Sequence, residues 1–188
     1  ASQEAVARYG PAVLEAGCNL LVLSVGAFAD SALLTRIDDL ARRRHANVYL
    51  PSGAIAGLDA LKAVRNSART VTLTTAKPPA ALGVTTTSRR VLFEGTAREA
   101  VAKFPRNVNV AASVSLAGIG PQRTTVRVVA DPALTRNTHE VHAEGDFGTL
   151  TVRVESEPSE TNPATSKLAY LSAIALLRQL QDPVKVGT

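Results

Sequence analysis

Cysteine, histidine and aromatic residues are scarce in this 188-residue chain, and each scarcity closes off a class of function. The single cysteine, Cys18, can form no internal disulfide; in the apolar run C-N-L-L-V-L-S-V it is expected as a small buried hydrophobe, which suits a reducing cytoplasmic setting. Aromatics make up only 4%, too few to build a stacking platform for bases. A nucleic-acid partner is therefore not expected despite a net charge of +5 and a pI near 9.8. Three of the basic residues, Arg42, Arg43 and Arg44, close a predicted helix, where cations complement the C-terminal end of the helix dipole. The others are scattered, as on a solvated face or one that mildly steers an anionic small molecule. No apolar run is long enough to cross a bilayer, and the start A-S-Q-E-A-V-A-R-Y lacks the apolar core of a secretion signal, so no membrane partner is expected. There is no G-x-G-x-x-G, no P-loop, no G-x-S-x-G elbow and no Cys/His cluster with metal spacing. Composition and motifs of that kind name no cofactor and no metal.

What is present is alternation. Ser2 is placed to cap a helix that reaches Glu15 and ends at Gly17, and Asn19 to Val25 is a continuous apolar run of the kind buried on both faces of a parallel sheet. Asp30 caps a second helix with Leu33, Leu34, Ile37, Leu40 and Ala41 at helical spacing, and Asn47 to Leu50 is a short strand. Helix and strand in turn make a parallel sheet with crossovers; two strands are too few to stand alone, so residues 1–50 read as the tail end of a doubly wound α/β domain. After Pro51 the pattern shifts. Leu58–Val64 reads as helix, and strands are expected at Thr70–Thr75, Arg90–Phe93, Thr124–Val129, Thr138–Ala143 and Thr149–Glu155, the last two joined as a hairpin through G-D-F-G. A helix from about Asn107 to Leu116 interrupts them. Residues 51–160 thus read as an α+β domain with a mixed or antiparallel sheet. The remainder, 161–188, is a helix capped by Asn162 with Pro163 in its first turn, so apolar around its circumference that it is expected to pack back on the first domain.

Several stretches carry candidate chemistry. S-V-G-A-F-A-D and L-P-S-G-A-I-A-G follow parallel strands, where ligands of such sheets bind; Gly26, Gly53 and Ala54 are small enough to admit a flat ligand, although tight turns have the same composition. In T-T-A-K-P-P, prolines behind Lys77 could fix its ammonium group for a carboxylate, or Lys77 could be a plain surface residue. In F-P-R-N-V-N-V-A-A, Asn107 and Asn109 stand at a helix start, one as cap and one with its amide open to a ligand. T-R-N-T-H-E-V-H holds two of the three histidines. Strand alternation turns His139, Val141 and Ala143 to one face and Glu140, His142 and Glu144 to the other. His139 is then either a satisfied core residue or, near Arg136 and Asn137, a partly buried imidazole suited to general acid/base work near neutrality. His142 and His45 read as solvated residues.

The series L-P-S-G-A-I-A-G-L-D-A-L, T-L-T-T-x-K-P-P-A-A-L, V-L-F-E-G-x-A-R-E-A-V, F-P-x-N-V-N-V-A-A, A-D-P-A-L-T-R-N-x-H-E-V and E-x-P-S-x-x-N-P-x-T-S, in order over essentially the whole chain, resembles the L-aspartate dehydrogenase family. The resemblance implies a Rossmann end at 1–50, a catalytic and dimerisation domain at 51–160, and NAD- or NADP-dependent oxidation of L-aspartate to iminoaspartate. That product hydrolyses to oxaloacetate and ammonia or feeds NAD biosynthesis. It also implies a homodimer. It places the family's catalytic histidine on His139 and its nicotinamide contacts on Ala54 and Asn109; Lys77 and Arg136 are nominated for the substrate carboxylates from charge and position. Those enzymes open with a Rossmann half carrying a glycine-rich pyrophosphate loop that the sequence does not contain, and Ala1 falls where that half is nearly finished. A non-catalytic dimerisation or dicarboxylate-binding module is the competing expectation. A relative acting on homoserine or a cyclic imine is a third, disfavoured by the unbroken K-P-P-A-A-L and T-R-N-x-H-E-V runs.

Overall fold

The computed structural model describes residues 2–104, 109–160 and 165–187. The chain opens with helix α1 (Gln3–Glu15), capped by the Ser2 hydroxyl, which accepts the Ala5 amide at 3.1 Å. Gly17, at φ +74°, turns the chain out of it. A short parallel pair follows, β1 (Leu20–Leu21) beside β2 (Val48–Tyr49), with α2 (Ser31–Arg44) between them under the Asp30 cap. The strand expected over Asn19 to Val25 is much shorter than its apolar run: past Val22 the chain leaves the ladder, Leu23 is exposed, and Val25–Ala29 winds into a 3-10 turn that buries Val25 and Phe28. Cys18 is exposed, not buried, because it sits in the turn after Gly17, outside the core.

The second part is a five-stranded mixed sheet in the order β4-β5-β3-β6-β7, made of β3 (Ala68–Lys77), β4 (Arg90–Thr96), β5 (Thr124–Ala130), β6 (Asn137–Gly145) and β7 (Gly148–Ser156). β3 and β5 run parallel and every other pair antiparallel. The G-D-F-G link is the hairpin expected, with Gly145 opposite Gly148. One face of this sheet, built from Val71, Leu73, Val126, Val128, Val141 and Ala143, is covered by α3 (Leu58–Val64), α4 (Ala97–Lys103) and α5 (Asn109–Ala117). A fully buried side chain such as Leu73, Leu61 or Val114 contributes about 1.5–3 kcal/mol. The opposite face carries Thr72, Glu140, His142 and Arg153 in partial exposure, which is the alternation that marks a half-buried sheet.

Helix α4 was not anticipated. Its start is a capping box in which the Thr96 hydroxyl accepts the Glu99 amide at 3.2 Å while the Glu99 carboxylate accepts the Thr96 amide at 2.7 Å. Helix α5 is described over Asn109–Ala117. The expected cap Asn107 lies outside the described residues, as do Asn162 and Pro163. The last helix, α6 (Lys167–Gln181), is capped by Ser166, whose hydroxyl accepts the Leu168 amide. It returns to the loop after β2, where the Gly53 amide donates to the Ser172 hydroxyl at 3.0 Å. It is less buried than its composition suggested: Ala173 is buried, whereas Leu171, Ile174, Leu177 and Leu180 are exposed.

Helix α5 belongs to both cores. Ala111 and Val114 pack with the large sheet, and Ala112 packs with Val6, Leu14, Val25, Phe28 and Ile37 of the first fifty residues. Its whole stretch from Val110 to Ser115 is buried in consequence, which is what a helix apolar on all sides requires.

Candidate active site

The inward face of the large sheet carries a row of side chains at one level: Phe93 on β4, Val128 on β5, Thr75 on β3, His139 on β6 and Val154 on β7. Thr75 and His139 are a cross-strand pair, and such pairs bring their Cβ atoms to within about 5.5 Å. Here the Thr75 hydroxyl and His139 Nδ1 are 3.0 Å apart. Two residues further along β3, on the same face, is Lys77, only 9% exposed. Its carbonyl accepts the Asp131 amide at 2.9 Å, which ties the end of β3 to the loop leaving β5. Pro78 and the 3-10 turn Pro79–Leu82 carry the chain away behind it.

His139 is 6% exposed, far more enclosed than the partly buried imidazole expected. Removal from water, then the positive charge on Lys77, lower its pKa to about 4. The imidazole is therefore neutral near pH 7. Burial likewise pulls the Lys77 ammonium below its ordinary value. A small cavity of about 20 Å³ lies beside Lys77, lined by Thr75, Val126 and Val128 from the sheet and by Ala100, Phe104 and Ala111 from the covering side; His139 does not line it.

One further segment reaches the same face. The loop after β2, from Pro51 to Gly57, buries Ile55 completely and lays Ala54 against the large core. Gly57 (φ +71°) approaches β7 so closely that a Cβ there would stand 2.7 Å from Val152 Cγ2. Val152 pairs with Val141, one inward residue on from His139, so the loop runs over the sheet face that holds His139. Asn109, the first residue of α5, turns the other way: its Oδ1 accepts the Gly26 amide at 2.9 Å, closing α5 onto the turn after β1. With the oxygen so engaged, the Asn109 Nδ2 is the donor it has left for a ligand, as recognition of a carboxamide oxygen needs. That fixed amide stands beside Gly26, in the turn after β1.

Of the residues singled out from the sequence, His139 and Lys77 come together on one sheet face, Ala54 lies on the loop crossing it, and Asn109 stands at the head of the helix that covers it. Arg136 does not join them. Its guanidinium is half exposed and paired with Glu157, and it stands just before β6. Thr75 was not singled out. The alternation in T-L-T-T-A-K places it with Lys77, but its opposition to His139 follows from a register that one strand does not reveal. His142, expected as solvated, bridges Thr151 and Glu144 on the outer face at 2.9 and 2.8 Å.

Residues 1–51 match the family described as "Homoserine dehydrogenase, NAD binding domain", and residues 59–180 match "Aspartate dehydrogenase, C-terminal". Together the two matches define a nicotinamide-dependent dehydrogenase. The L-aspartate dehydrogenases of Methanosarcina barkeri and Methanococcoides burtonii are each 50% identical over all of this chain and 74% of their own length; that of Nitrosopumilus maritimus is 42% identical over the same share. The crystal structure of aspartate dehydrogenase from Thermotoga maritima superposes with a TM-score of 0.88 at 35% identity, covering 100% of this chain and 76% of that one. The chain belongs to the L-aspartate dehydrogenase family.

Proposed function

We propose that the chain takes part in NAD(P)-dependent oxidation of L-aspartate to iminoaspartate, with oxaloacetate and ammonia as the hydrolysis products. Support for the chemistry comes from the family; support for the residues comes from one placement. His139 and Lys77 share a sheet face, Lys77 lines a small cavity with Ala111 of α5, and Asn109 at the head of that helix is locked onto Gly26. The nicotinamide, when bound, accepts the hydride from the aspartate Cα. Asn109 and the Ala54 backbone hold the ring, and reaction needs the exchanging atoms held roughly 3–3.5 Å apart. Lys77, fixed by its strand and by Pro78, offers a cation to one substrate carboxylate. His139, neutral, meets the atoms on the substrate carbon that reacts, by hydrogen bond. Arg136 is not assigned to the second carboxylate, since Glu157 already occupies it.

The division into 1–50, 51–160 and 161–188 is part of this reading, as are a homodimer and a cytoplasmic setting. The exposed Leu171, Ile174, Leu177 and Leu180 on α6 support self-association, to be checked by light scattering. The single thiol suits a reducing compartment. No helix among the described residues is long and apolar enough to cross a membrane.

The test follows nicotinamide absorbance on mixing the protein with NADH, oxaloacetate and ammonium. Oxidation that needs all three, and that falls at least a hundredfold in His139→Gln, supports the reading. Full turnover in that variant would remove His139 from the site.

A further inference from the structure

We propose that Thr75 is a positioning residue that fixes the tautomer of His139: its hydroxyl donates to Nδ1, so the ring carries its one proton on Nε2 and presents an N–H donor, not a basic lone pair. The row across the sheet leaves the ring little choice. Its cross-strand neighbours are Thr75 on β3 and Val154 on β7, and beyond Thr75 stands Val128. Thr75 therefore supplies the hydrogen-bonding group in that row, 3.0 Å from Nδ1 and 6% exposed. Lys77, two residues along β3 on the same face, adds positive charge but no acceptor. It opposes a second proton on the ring and so keeps the imidazole neutral, with a single proton to be placed on one nitrogen or the other.

The hydroxyl decides which. A threonine hydroxyl has one hydrogen to give and two lone pairs to offer. Among the described residues the Thr75 oxygen bonds to His139 Nδ1 and to no other group. If the hydroxyl donates, its hydrogen and the Nδ1 lone pair are both satisfied. If Nδ1–H donated instead, the hydroxyl hydrogen would be buried without an acceptor, the arrangement folded proteins avoid. The proton therefore belongs on Nε2. A neutral Nε2–H cannot take a proton from the substrate ammonium. It donates instead to an oxygen: a substrate carboxylate, or the oxygen that appears on the reacting carbon as the imine is hydrated and that is present as a carbonyl in oxaloacetate. Donors preset toward such an oxygen stabilise the charge that develops on it.

The catalytic consequence rests on His139 lying in the site as proposed above; the tautomer does not, so two measurements separate them. Long-range proton–nitrogen correlation on uniformly nitrogen-15-labelled protein between pH 6 and 8 reads the protonation of each ring nitrogen, and the His139 signals are those missing from His139→Gln. A protonated Nε2 with an unprotonated, hydrogen-bonded Nδ1 is the expected result; a protonated Nδ1 overturns the proposal whatever the kinetics. Thr75→Val keeps the branched shape and removes the hydroxyl. It is expected to mix the two tautomers and to lower kcat about tenfold, the factor one hydrogen bond carries, with the KM for aspartate changed less than about twofold, while Thr75→Ser retains both the tautomer and the rate. Thr75→Val with an unchanged ring spectrum overturns the assignment. Full activity of His139→Gln beside a protonated Nε2 would refute the site reading and leave the tautomer assignment standing.

Discussion

Lowering the pH should weaken this fold through one ring. His139 is neutral in the folded protein down to about pH 4, held there first by burial and then by the charge on Lys77. In the unfolded chain it titrates near 6.5. Below pH 6.5 the unfolded state binds a proton that the folded state refuses, so stability falls as pH drops. The fall continues until about pH 4, where the folded protein is protonated too. The gap corresponds to about 3 kcal/mol in full, and about 2.5 kcal/mol of it is lost between pH 7.5 and 4.5. Carboxylates titrate in part of the same range, so the comparison is between urea unfolding of the wild type and of His139→Gln at both pH values. The wild type should lose about 2.5 kcal/mol more than the variant. Equal losses in the two proteins would refute the placement of a neutral, buried imidazole at this position.

Other substitutions probe the neighbouring elements. Asn109→Asp keeps an oxygen for the Gly26 amide but has no amide donor; it should fold as the wild type and raise the KM for the nicotinamide cofactor, whereas Asn109→Ala should raise it and also lower stability by about 1 kcal/mol for the lost hydrogen bond, as read by thermal melting. Gly57→Ala should cost about 2–3 kcal/mol in urea unfolding, because φ is +71° and the new methyl would meet Val152. Lys77→Met keeps the length of the buried side chain and removes its charge, and should abolish aspartate turnover as read by nicotinamide absorbance.

Much of the large sheet was legible because its strands alternate: Val126 and Val128, or Leu150, Val152 and Val154, announce an inward face without help from the rest of the chain. Helix α4 escaped notice although T-A-R-E is a capping box, because its buried positions, Ala97 and Ala100, are alanines that leave hardly any hydrophobic period. The run Asn19–Val25 misled for the opposite reason: it is apolar throughout, but the apolar residues after Val22 serve a 3-10 turn. Lys77 and His139 were recognisable as polar groups on strands. That they share a face and that Thr75 stands opposite His139 depend on pairing between segments 64 residues apart, and pairing register is written in no single segment. Arg136 lies three residues from His139 in sequence, yet its guanidinium pairs with Glu157, a contact that the sequence around His139 does not announce.

Helix α5 has a consequence for how the molecule comes apart. Divided by sequence pattern, the chain has a boundary near residue 50, yet a single buried helix supplies side chains to the packing on both sides of it. Neither half can melt without stripping α5 of the neighbours that keep its Val110–Ser115 stretch dry. Amide exchange along that helix should therefore report global opening, and the latch between Asn109 and Gly26 should persist until the whole molecule yields. The unit of cooperativity is larger than the unit of pattern.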